Sequence, residues 1–288
     1  MSAKFGPAGN SDAFSAVHKS SLAAPQWIAE QGLDGYEYQC GTGVHVGEDT
    51  ARRVGENARK HGISLSLHAP YFINLANPDP DSLQKTIGYI TSACLVASQM
   101  GASRVVIHSG ALMKRTRREA LDTALRSLRE VIRTCDGQGF GHIALCPETM
   151  GKINQLGDLE EVLELCTLDE RLIPCIDFGH LYARSLGADD GAEAFGRMLD
   201  RVESVLGQSR ASVFHSHFSH IQFTPGGGEK CHRTFDDDDG YGPDWAPLAR
   251  AIARRGWSPT FICESAGTQA KDALTMKRIY QEVLTAQE

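Results

Sequence analysis

The chain has 288 residues, of which 41% are hydrophobic and 23% are charged. These values exclude a disordered, collagen-like or disulfide-stapled protein, and the length fits one large domain or two small ones. Lysine and arginine together number 29 against 36 aspartates and glutamates, which gives a net charge of -7. This balance argues against a protein that coats nucleic acid by bulk charge, although a local basic patch is compatible with it.

The cysteines indicate the compartment. All eight lack a CxxC partner, and most of them lie inside apolar runs, as small buried side chains do in a reducing compartment. The first residues lack the apolar core of a signal peptide, and no apolar stretch approaches the ~20 residues that span a bilayer. The sequence therefore predicts a cytoplasmic, soluble protein that does not enter a membrane.

Short apolar runs alternate with longer amphipathic runs along the whole chain. The short runs predict strands at residues 4–6, 35–38, 64–67, 104–107, 143–146, 173–176, 213–214 and 260–263. Helical spacing, with capping, Gly and Pro signals, predicts helices at residues 24–31, 50–61, 82–100, 117–135, 158–166, 192–206, 245–255 and 272–286. A glycine-rich and acidic stretch over residues 226–239 predicts a long loop.

This alternation predicts right-handed βαβ units and a parallel sheet. Eight such units in under ~300 residues fit an α/β protein with a single (β/α)8 TIM barrel over residues 1–288. A doubly wound open sheet is the alternative. It is disfavoured because neither a G-x-G-x-x-G motif nor a P-loop follows the first strand.

Metal-binding residue types close six consecutive predicted strands, and barrel enzymes carry their catalytic groups at these strand ends. The residues are His68, His108, Glu148, Asp177 with His180, His215 with His217, and Glu264. A single histidine after a strand is more often structural, but a structural explanation does not account for the whole set. The second strand adds Glu37, and His232 follows the glycine-rich loop and can fold back over the rim. We therefore expect a metal site at the C-terminal rim, and the sequence leaves open whether His215, His217 or both bind metal.

Several segments resemble the endonuclease IV family of apurinic/apyrimidinic endonucleases, within the xylose isomerase-like TIM barrels. They are HAPYFINLAN from His68, VVIHSG around His108, PET at Glu148, IDFGH ending at His180, HSHFSH around His217 and ICES with Glu264. Their order and spacing agree from about residue 35 to the C-terminus, and HAPYFINLAN is the most specific. The resemblance implies a trinuclear zinc enzyme that incises DNA 5′ to abasic sites in base-excision repair.

The resemblance also implies which residues hold the metals. The eight implied ligands fall into three groups: His68, His108 and Glu148; Glu148, Asp177, His217 and Glu264; and His180 with His232. The family has an aspartate two residues before the last histidine, where this chain has Lys230. Either Glu229 supplies the missing carboxylate, or the third metal is weak or absent and the substrate differs. We therefore expect two or three Zn²⁺ ions, with Mn²⁺ as an alternative, and catalytic roles for Glu148 and Glu264.

Clustered metals ~3.5–4 Å apart suit phosphodiester hydrolysis, and their charge would let an acidic protein bind phosphate. Lys114 and Arg115, followed by Arg117 and Arg118, are candidate phosphate contacts on the rim, and an ordinary solvated helix start is the alternative. The HAPYFINLAN segment supplies further candidate substrate contacts, with loop packing as the alternative for its aromatic rings. They are Tyr71, Phe72 and Asn74.

Two other functions remain open. Sugar isomerases and epimerases of xylose isomerase-like barrels hold one divalent metal with Glu, Asp, His and Glu, which Glu148, Asp177, His217 and Glu264 would match. The remaining histidines look like additional ligands and favour the endonuclease. A metal-dependent module that binds nucleic acid without catalysis is disfavoured because the sequence shows no large basic face. DNA with abasic sites is therefore the expected partner, and no protein partner is evident.

Overall fold

The computed structural model describes residues 2–286, and the predicted α/β barrel is confirmed. Its eight parallel strands are β1 (Lys4–Pro7), β2 (Gly35–Gln39), β3 (Ser64–His68), β4 (Arg104–His108), β5 (Ala144–Glu148), β6 (Cys175–Asp177), β7 (His215–Phe218) and β10 (Thr260–Cys263). An antiparallel hairpin of β8 (His220–Thr224) and β9 (Gly228–Arg233) follows β7. Residues 1, 287 and 288 of the predicted domain lie outside the described part.

Helices surround the barrel. They are α1 (Asp12–Val17), α2 (Ala24–Glu30), α3 (Glu48–His61), α4 (Pro80–Met100), α5 (Arg117–Gly137), α6 (Leu159–Cys166), α7 (Phe178–Arg184), α8 (Gly191–Leu206), α9 (Gln208–Ala211), α10 (Trp245–Arg255) and α11 (Gln269–Thr285), with a 3-10 turn at Ser21–Ala23. Capping side chains start several of them. Asp158, for example, accepts a hydrogen bond from the backbone of Glu161 at the start of α6. Among the described residues, we find no helix with the length and apolar character needed to cross a membrane.

The sheet runs in the order β1-β10-β7-β6-β5-β4-β3-β2, and β1 closes it against β2. Ala8 bridges to Glu37, and the Gly9 N–H donates to the Glu37 carbonyl at 2.8 Å. The two strands approach closely at Gly6, where a Cβ atom would lie 2.0 Å from the carbonyl oxygen of Gly35. A glycine is therefore required at this seam.

Side chains alternate between the two sides of each barrel strand. On β4, Val105 and Ile107 are fully buried in the core between the barrel and the helices. Val106 points the other way, into a small separate cluster with Cys146 and Cys175 inside the barrel. The inward positions one step closer to the rim are polar on most strands, and these positions build the site.

The hairpin and the seventh strand differ from the prediction. The stretch predicted as a loop contains β9, whose polar sequence has no apolar alternation to reveal it. The seventh strand begins at His215, whereas the prediction placed it at residues 213–214. The prediction missed the strand because its polar residues face the barrel interior. The short helices α1, α7 and α9 were not predicted, since four to seven residues are too few to show a helical period.

Candidate metal centre

Glu148, at the end of β5, lies at the centre of the candidate site and is almost fully buried. Its Oε2 atom lies 3.1 Å from His68 Nε2 and 3.2 Å from His108 Nε2. Its Oε1 atom lies 3.0 Å from His217 Nδ1 and 3.5 Å from His180 Nδ1. One carboxylate therefore faces four histidines, with two on each oxygen.

Backbone carbonyls orient three of these histidine rings. The Nδ1–H group of His68 donates to the carbonyl of the following residue at 2.7 Å, and that of His108 donates to the carbonyl of Tyr71 at 2.8 Å. The Nδ1–H group of His180 donates to the carbonyl of Thr149 at 2.8 Å. A carbonyl only accepts, so Nδ1 carries a proton, and Nε2 is the nitrogen at which a metal can take the place of a proton. Each ring is thus arranged to bind a metal through Nε2.

Asp177 supports a metal at this site. Its side chain is fully buried, and its Oδ1 atom accepts a hydrogen bond from the backbone N–H of His180 at 2.8 Å. Its Oδ2 atom lies 3.2 Å from His180 Nδ1 but accepts no hydrogen bond within residues 2–286, because that N–H points to the carbonyl of Thr149. Ligand atoms of Glu148, Asp177, His217 and Glu264 all lie within 4.8 Å of one another. A buried carboxylate oxygen that accepts no hydrogen bond is costly, and these nitrogen and oxygen donors fit a divalent transition metal.

The pKa values of the buried histidines and of Glu148 show that positive charge stabilises the carboxylates of this site. Burial alone opposes protonation of the histidines, but the hydrogen bond and charge of Glu148 raise the pKa of His68 to about 9. Burial also lowers the pKa of His180, but the charge of Asp177 outweighs it and raises this pKa to about 9. Although burial acts in the opposite direction, the surrounding histidines hold the pKa of Glu148 well below its ordinary value. Protons or metal ions therefore balance the negative charge here.

A neighbouring group extends the site toward the hairpin. His180 Nε2 lies 3.5 Å from Glu229 Oε2, and the His180 and His232 rings are 5.6 Å apart. His232 is oriented by a hydrogen bond of 2.7 Å between its Nδ1 atom and Ser219 Oγ. Ligand atoms of His180, His232 and Glu264 lie within 4.8 Å of one another. This second group has the donors for a separate metal ion.

A β-bulge decides which residue of the hairpin faces the site. Cys231 pairs with Gln222, but Phe223 pairs with Glu229, so Lys230 is the extra residue of the bulge. Lys230 is exposed, whereas Glu229 is partly buried and lines the cavity. The carboxylate therefore lies one residue earlier than the position at which the family carries its aspartate.

The cavity at this rim has a volume of about 290 Å³. Besides the candidate ligands it is lined by Gln39, Gly41, Tyr71, Met150, Lys152 and Gln155. Tyr71 is 57% exposed there, whereas Phe72 is 42% exposed and packs against Tyr71 and Tyr89 without lining the cavity. Sequence reasoning did not single out Gln39 or Lys152. Gln39 could have been found from its inward position two residues after Glu37. Lys152 could have been found from its positive charge four residues after Glu148.

Three further predicted substrate contacts, besides Phe72, do not line the cavity. The Asn74 side-chain oxygen accepts hydrogen bonds from the backbone N–H groups of Ala76 and Ala111, each at 3.1 Å, and so joins two loops. The Arg115 guanidinium donates to the carbonyl of Ala76, and Lys114 is exposed. Local structural contacts thus account for Asn74 and Arg115, and substrate contacts at all three residues remain predictions.

The next two arginines are already paired. Arg117 forms an ion pair with Glu161, with Nε and Oε1 2.7 Å apart. Arg118 forms one with Glu164 at 2.9 Å.

His215 also lies away from the cavity, one layer deeper, where it contacts Glu37. Of the two β7 histidines, only His217 therefore reaches Glu148.

Comparison with known proteins places the chain among related barrels. Residues 25–282 match the family described as xylose isomerase-like TIM barrel. An uncharacterised protein of Methanocaldococcus jannaschii is 30% identical over 251 residues, which cover 87% of this chain and 88% of that protein. The Probable endonuclease 4 of Acholeplasma laidlawii is 27% identical over 165 residues. That match covers 54% of each chain, so this chain spans about half the length of that relative.

Two solved structures show the same fold at low identity. A D-tagatose 3-epimerase-like protein superposes with a TM-score of 0.73 at 18% identity, covering 99% of both chains. Endonuclease IV from Thermus thermophilus superposes with a TM-score of 0.64, also at 18% identity, covering 98% of this chain and 99% of that one. At this identity the superpositions establish the barrel and leave the reaction to the site itself.

Proposed function

Because the chain belongs to the xylose isomerase-like TIM barrel family, we propose that it is a metal-dependent hydrolase that cleaves the DNA backbone 5′ to abasic sites. The endonuclease 4 relatives and the sequence segments that resemble endonuclease IV support this proposal. The eight free cysteines, seven of them buried, suit a cytoplasmic repair enzyme in a reducing compartment.

The observation that carries the proposal is the two-sided environment of Glu148. Its Oε2 atom contacts His68 and His108, and its Oε1 atom contacts His217. A barrel that holds one metal needs histidines beside only one oxygen of this carboxylate. A carboxylate with histidines on both oxygens suits a bridge between two metal ions, as two-metal phosphodiester chemistry requires.

We propose zinc as the resident metal, because histidine nitrogen and carboxylate oxygen predominate, and Mn²⁺ as the alternative. The first ion would lie between His68, His108 and Glu148. The second would lie among Glu148, Asp177, His217 and Glu264, and the third among His180, His232 and Glu229. When bound, the ions would activate water and neutralise charge on a phosphodiester.

The protein's own groups complete the site. The Glu264 side chain is 16% exposed at the cavity, whereas that of Glu148 is 1% exposed, so Glu264 is the better placed of the two catalytic candidates to accept a proton. Lys152 supplies a cation to the cavity wall for a substrate phosphate. The exposed ring of Tyr71 can stack at the abasic gap while its carbonyl holds His108, which links substrate contact to ligand orientation.

The test is incision of a duplex that carries one abasic site, with an identical duplex lacking it as the control. Chelator-sensitive cleavage on the 5′ side of the abasic site supports the proposal. Cleavage should weaken at higher salt, because phosphate contacts release counterions. Absence of cleavage by protein whose metal content has been verified contradicts it.

A second candidate is a single-metal sugar isomerase or epimerase. The compact group of Glu148, Asp177, His217 and Glu264, and the superposed epimerase-like barrel, favour it. Such an enzyme would exchange a substrate C–H proton with solvent through a positioned base. Incubation with ketoses in D₂O, followed by NMR, distinguishes the two. Deuterium incorporation without duplex cleavage selects the epimerase.

A further inference from the structure

A second polar layer lies beneath the candidate ligands and is centred on Glu37, which is fully buried. Its Oε2 atom accepts hydrogen bonds from His215 Nε2 and Ser66 Oγ, each at 2.8 Å. Its Oε1 atom accepts them from His217 Nε2 at 2.9 Å and Gln39 Nε2 at 3.1 Å. Four donors thus satisfy both oxygens of a carboxylate that has no contact with the cavity.

The neighbours of His215 identify which nitrogen carries its proton. Arg104 Nη1 lies 3.5 Å from His215 Nδ1, while its Nη2 donates to the carbonyl of Val213 at 2.7 Å. A guanidinium can only donate, so the His215 Nδ1 atom keeps its lone pair. The proton is then on Nε2 and is donated to Glu37. The Glu37 carboxylate accepts in the same way from Nε2 of His217.

The other nitrogen of His217 faces the candidate ligands. Its Nδ1 atom lies 3.0 Å from Glu148 Oε1 and 3.5 Å from Glu264 Oε1. We infer that Glu37 is a positioning residue: by accepting the Nε2 proton of His217, it presents the Nδ1 lone pair to the metal. This inference rests on the proposed assignment of His217 as a metal ligand, and it adds a residue outside the candidate ligand set.

The same layer offers an alternative, because donor atoms of Cys175, His215 and His217 lie within 4.8 Å of one another. Each histidine already gives one ring nitrogen to Glu37, and the other nitrogen of His215 faces the Arg104 cation. Glu37 also differs from Asp177, whose Oδ2 atom accepts no hydrogen bond within the described residues. The hydrogen bonds of this layer are complete without an ion, and therefore favour a positioning role.

The test is Glu37→Gln, with zinc affinity measured by competition with a chromophoric chelator. Because Arg104 keeps the His215 proton on Nε2, the amide oxygen of the glutamine must accept from His215, and its NH₂ group then faces the Nε2–H of His217. His217 relieves this conflict only by moving its proton to Nδ1, which removes the metal-binding lone pair. We expect the affinity of the second site to fall by about 10–100-fold, the usual effect of losing a group that orients a ligand. Unchanged affinity would overturn the inference.

Matched variants separate positioning from general damage. Glu161→Gln makes the same change at a buried carboxylate in α6 and should leave zinc affinity unchanged. In Glu37→Gln/His215→Ala, the amide no longer faces a second donor, so most of the affinity should return. A purely structural role predicts a further loss, because the second change adds a cavity, and that result would contradict the inference.

Two more measurements complete the test. His217→Ala should lower the metal content. If it does not, the proposed ligand set fails independently of Glu37. Should Glu37→Gln not fold, ¹⁵N-histidine NMR of the zinc-loaded unmodified protein decides the question. We expect His217 to be protonated at Nε2 and metal-bound at Nδ1, and the reverse pattern would refute the role of Glu37.

Discussion

At the scale of single residues, Glu148 carries the most contacts of the candidate site. Glu148→Gln keeps the shape of the side chain but removes the charge that faces four histidines. We expect loss of most bound metal and a fall in activity of more than about 100-fold, the upper end for residues that merely orient a ligand. Elemental analysis and the duplex assay measure both effects. Full metal occupancy in this variant would refute the ligand assignment.

The bulge in β9 makes a separate prediction. Glu229 lies 3.5 Å from His180, whereas Lys230 is exposed. Glu229→Ala should therefore lower the metal content by about one ion per chain, and Lys230→Asp should leave it unchanged. Elemental analysis of both variants provides the measurement. A metal gained by Lys230→Asp would mean that the third site lacks its carboxylate in the natural sequence.

The sequence indicated which side chains lie together at this rim better than it indicated their arrangement. His68, His108 and Glu148 could be singled out because each ends a strand, and strand ends meet at one rim. The roles of His215 and His217 could not be separated, since both face inward and only the depth of each along the barrel distinguishes them. The inward position of Glu229 was also hidden, because a bulge shifts the two-residue period.

At the scale of elements, the hairpin is held against the loop that follows β5. Gly228 has a φ of +72°, and a Cβ atom there would lie 2.3 Å from the carbonyl oxygen of Gly151. Gly228→Ala should thus cost about 1–3 kcal/mol of stability and move Glu229 away from His180. Thermal unfolding and metal content are the measurements.

Gly226 provides the control for this change. It lies in the same turn, and a Cβ atom there would meet nothing within 4 Å. Gly226→Ala should leave both stability and metal content unchanged. If the two alanine variants behave alike, the hairpin does not hold Glu229 by its packing on the β5 loop.

Element boundaries were predictable where a long periodic run ends in a clear signal. The helix ending at His61 is followed by Gly62 in the left-handed conformation, and Met100 is followed by Gly101 in the same way. The hairpin was not predictable, because the register between β8 and β9 depends on contacts with a loop about 75 residues earlier in the chain.

The candidate ligands come from parts of the chain that meet only when the barrel is complete: β3 to β7, the residue after β10, helix α7 and the hairpin. A metal that binds them only in the folded state stabilises the fold by mass action, by about 2.7 kcal/mol at a free concentration of 100 times Kd. Zinc should therefore raise the midpoint of thermal unfolding, and a chelator should lower it. Glu148→Gln should reduce the difference between the two conditions. Equal midpoints for unmodified protein with and without zinc would contradict a metal centre that links the strands.

The overall architecture was the most predictable property. Eight strands that alternate with helices admit few topologies, and closure follows once the strand count is known. The seam itself was not foreseen, because the need for glycine at Gly6 appears only when β1 meets Gly35 across the barrel. Local sequence therefore identifies the units of this fold, and long-range packing determines how they close.

The direction of β1 and α11 has a practical consequence. Lys4 begins a strand that runs toward the cavity, and α11 runs back from the rim to end at Thr285. Both positions therefore lie on the barrel face opposite the cavity. A linker that tethers the protein to a sensor chip through either position leaves the cavity entrance at Tyr71 open to a duplex in the flowing buffer. Coupling through Lys152 instead would block the mouth, so the two orientations provide an internal control for surface-based binding measurements.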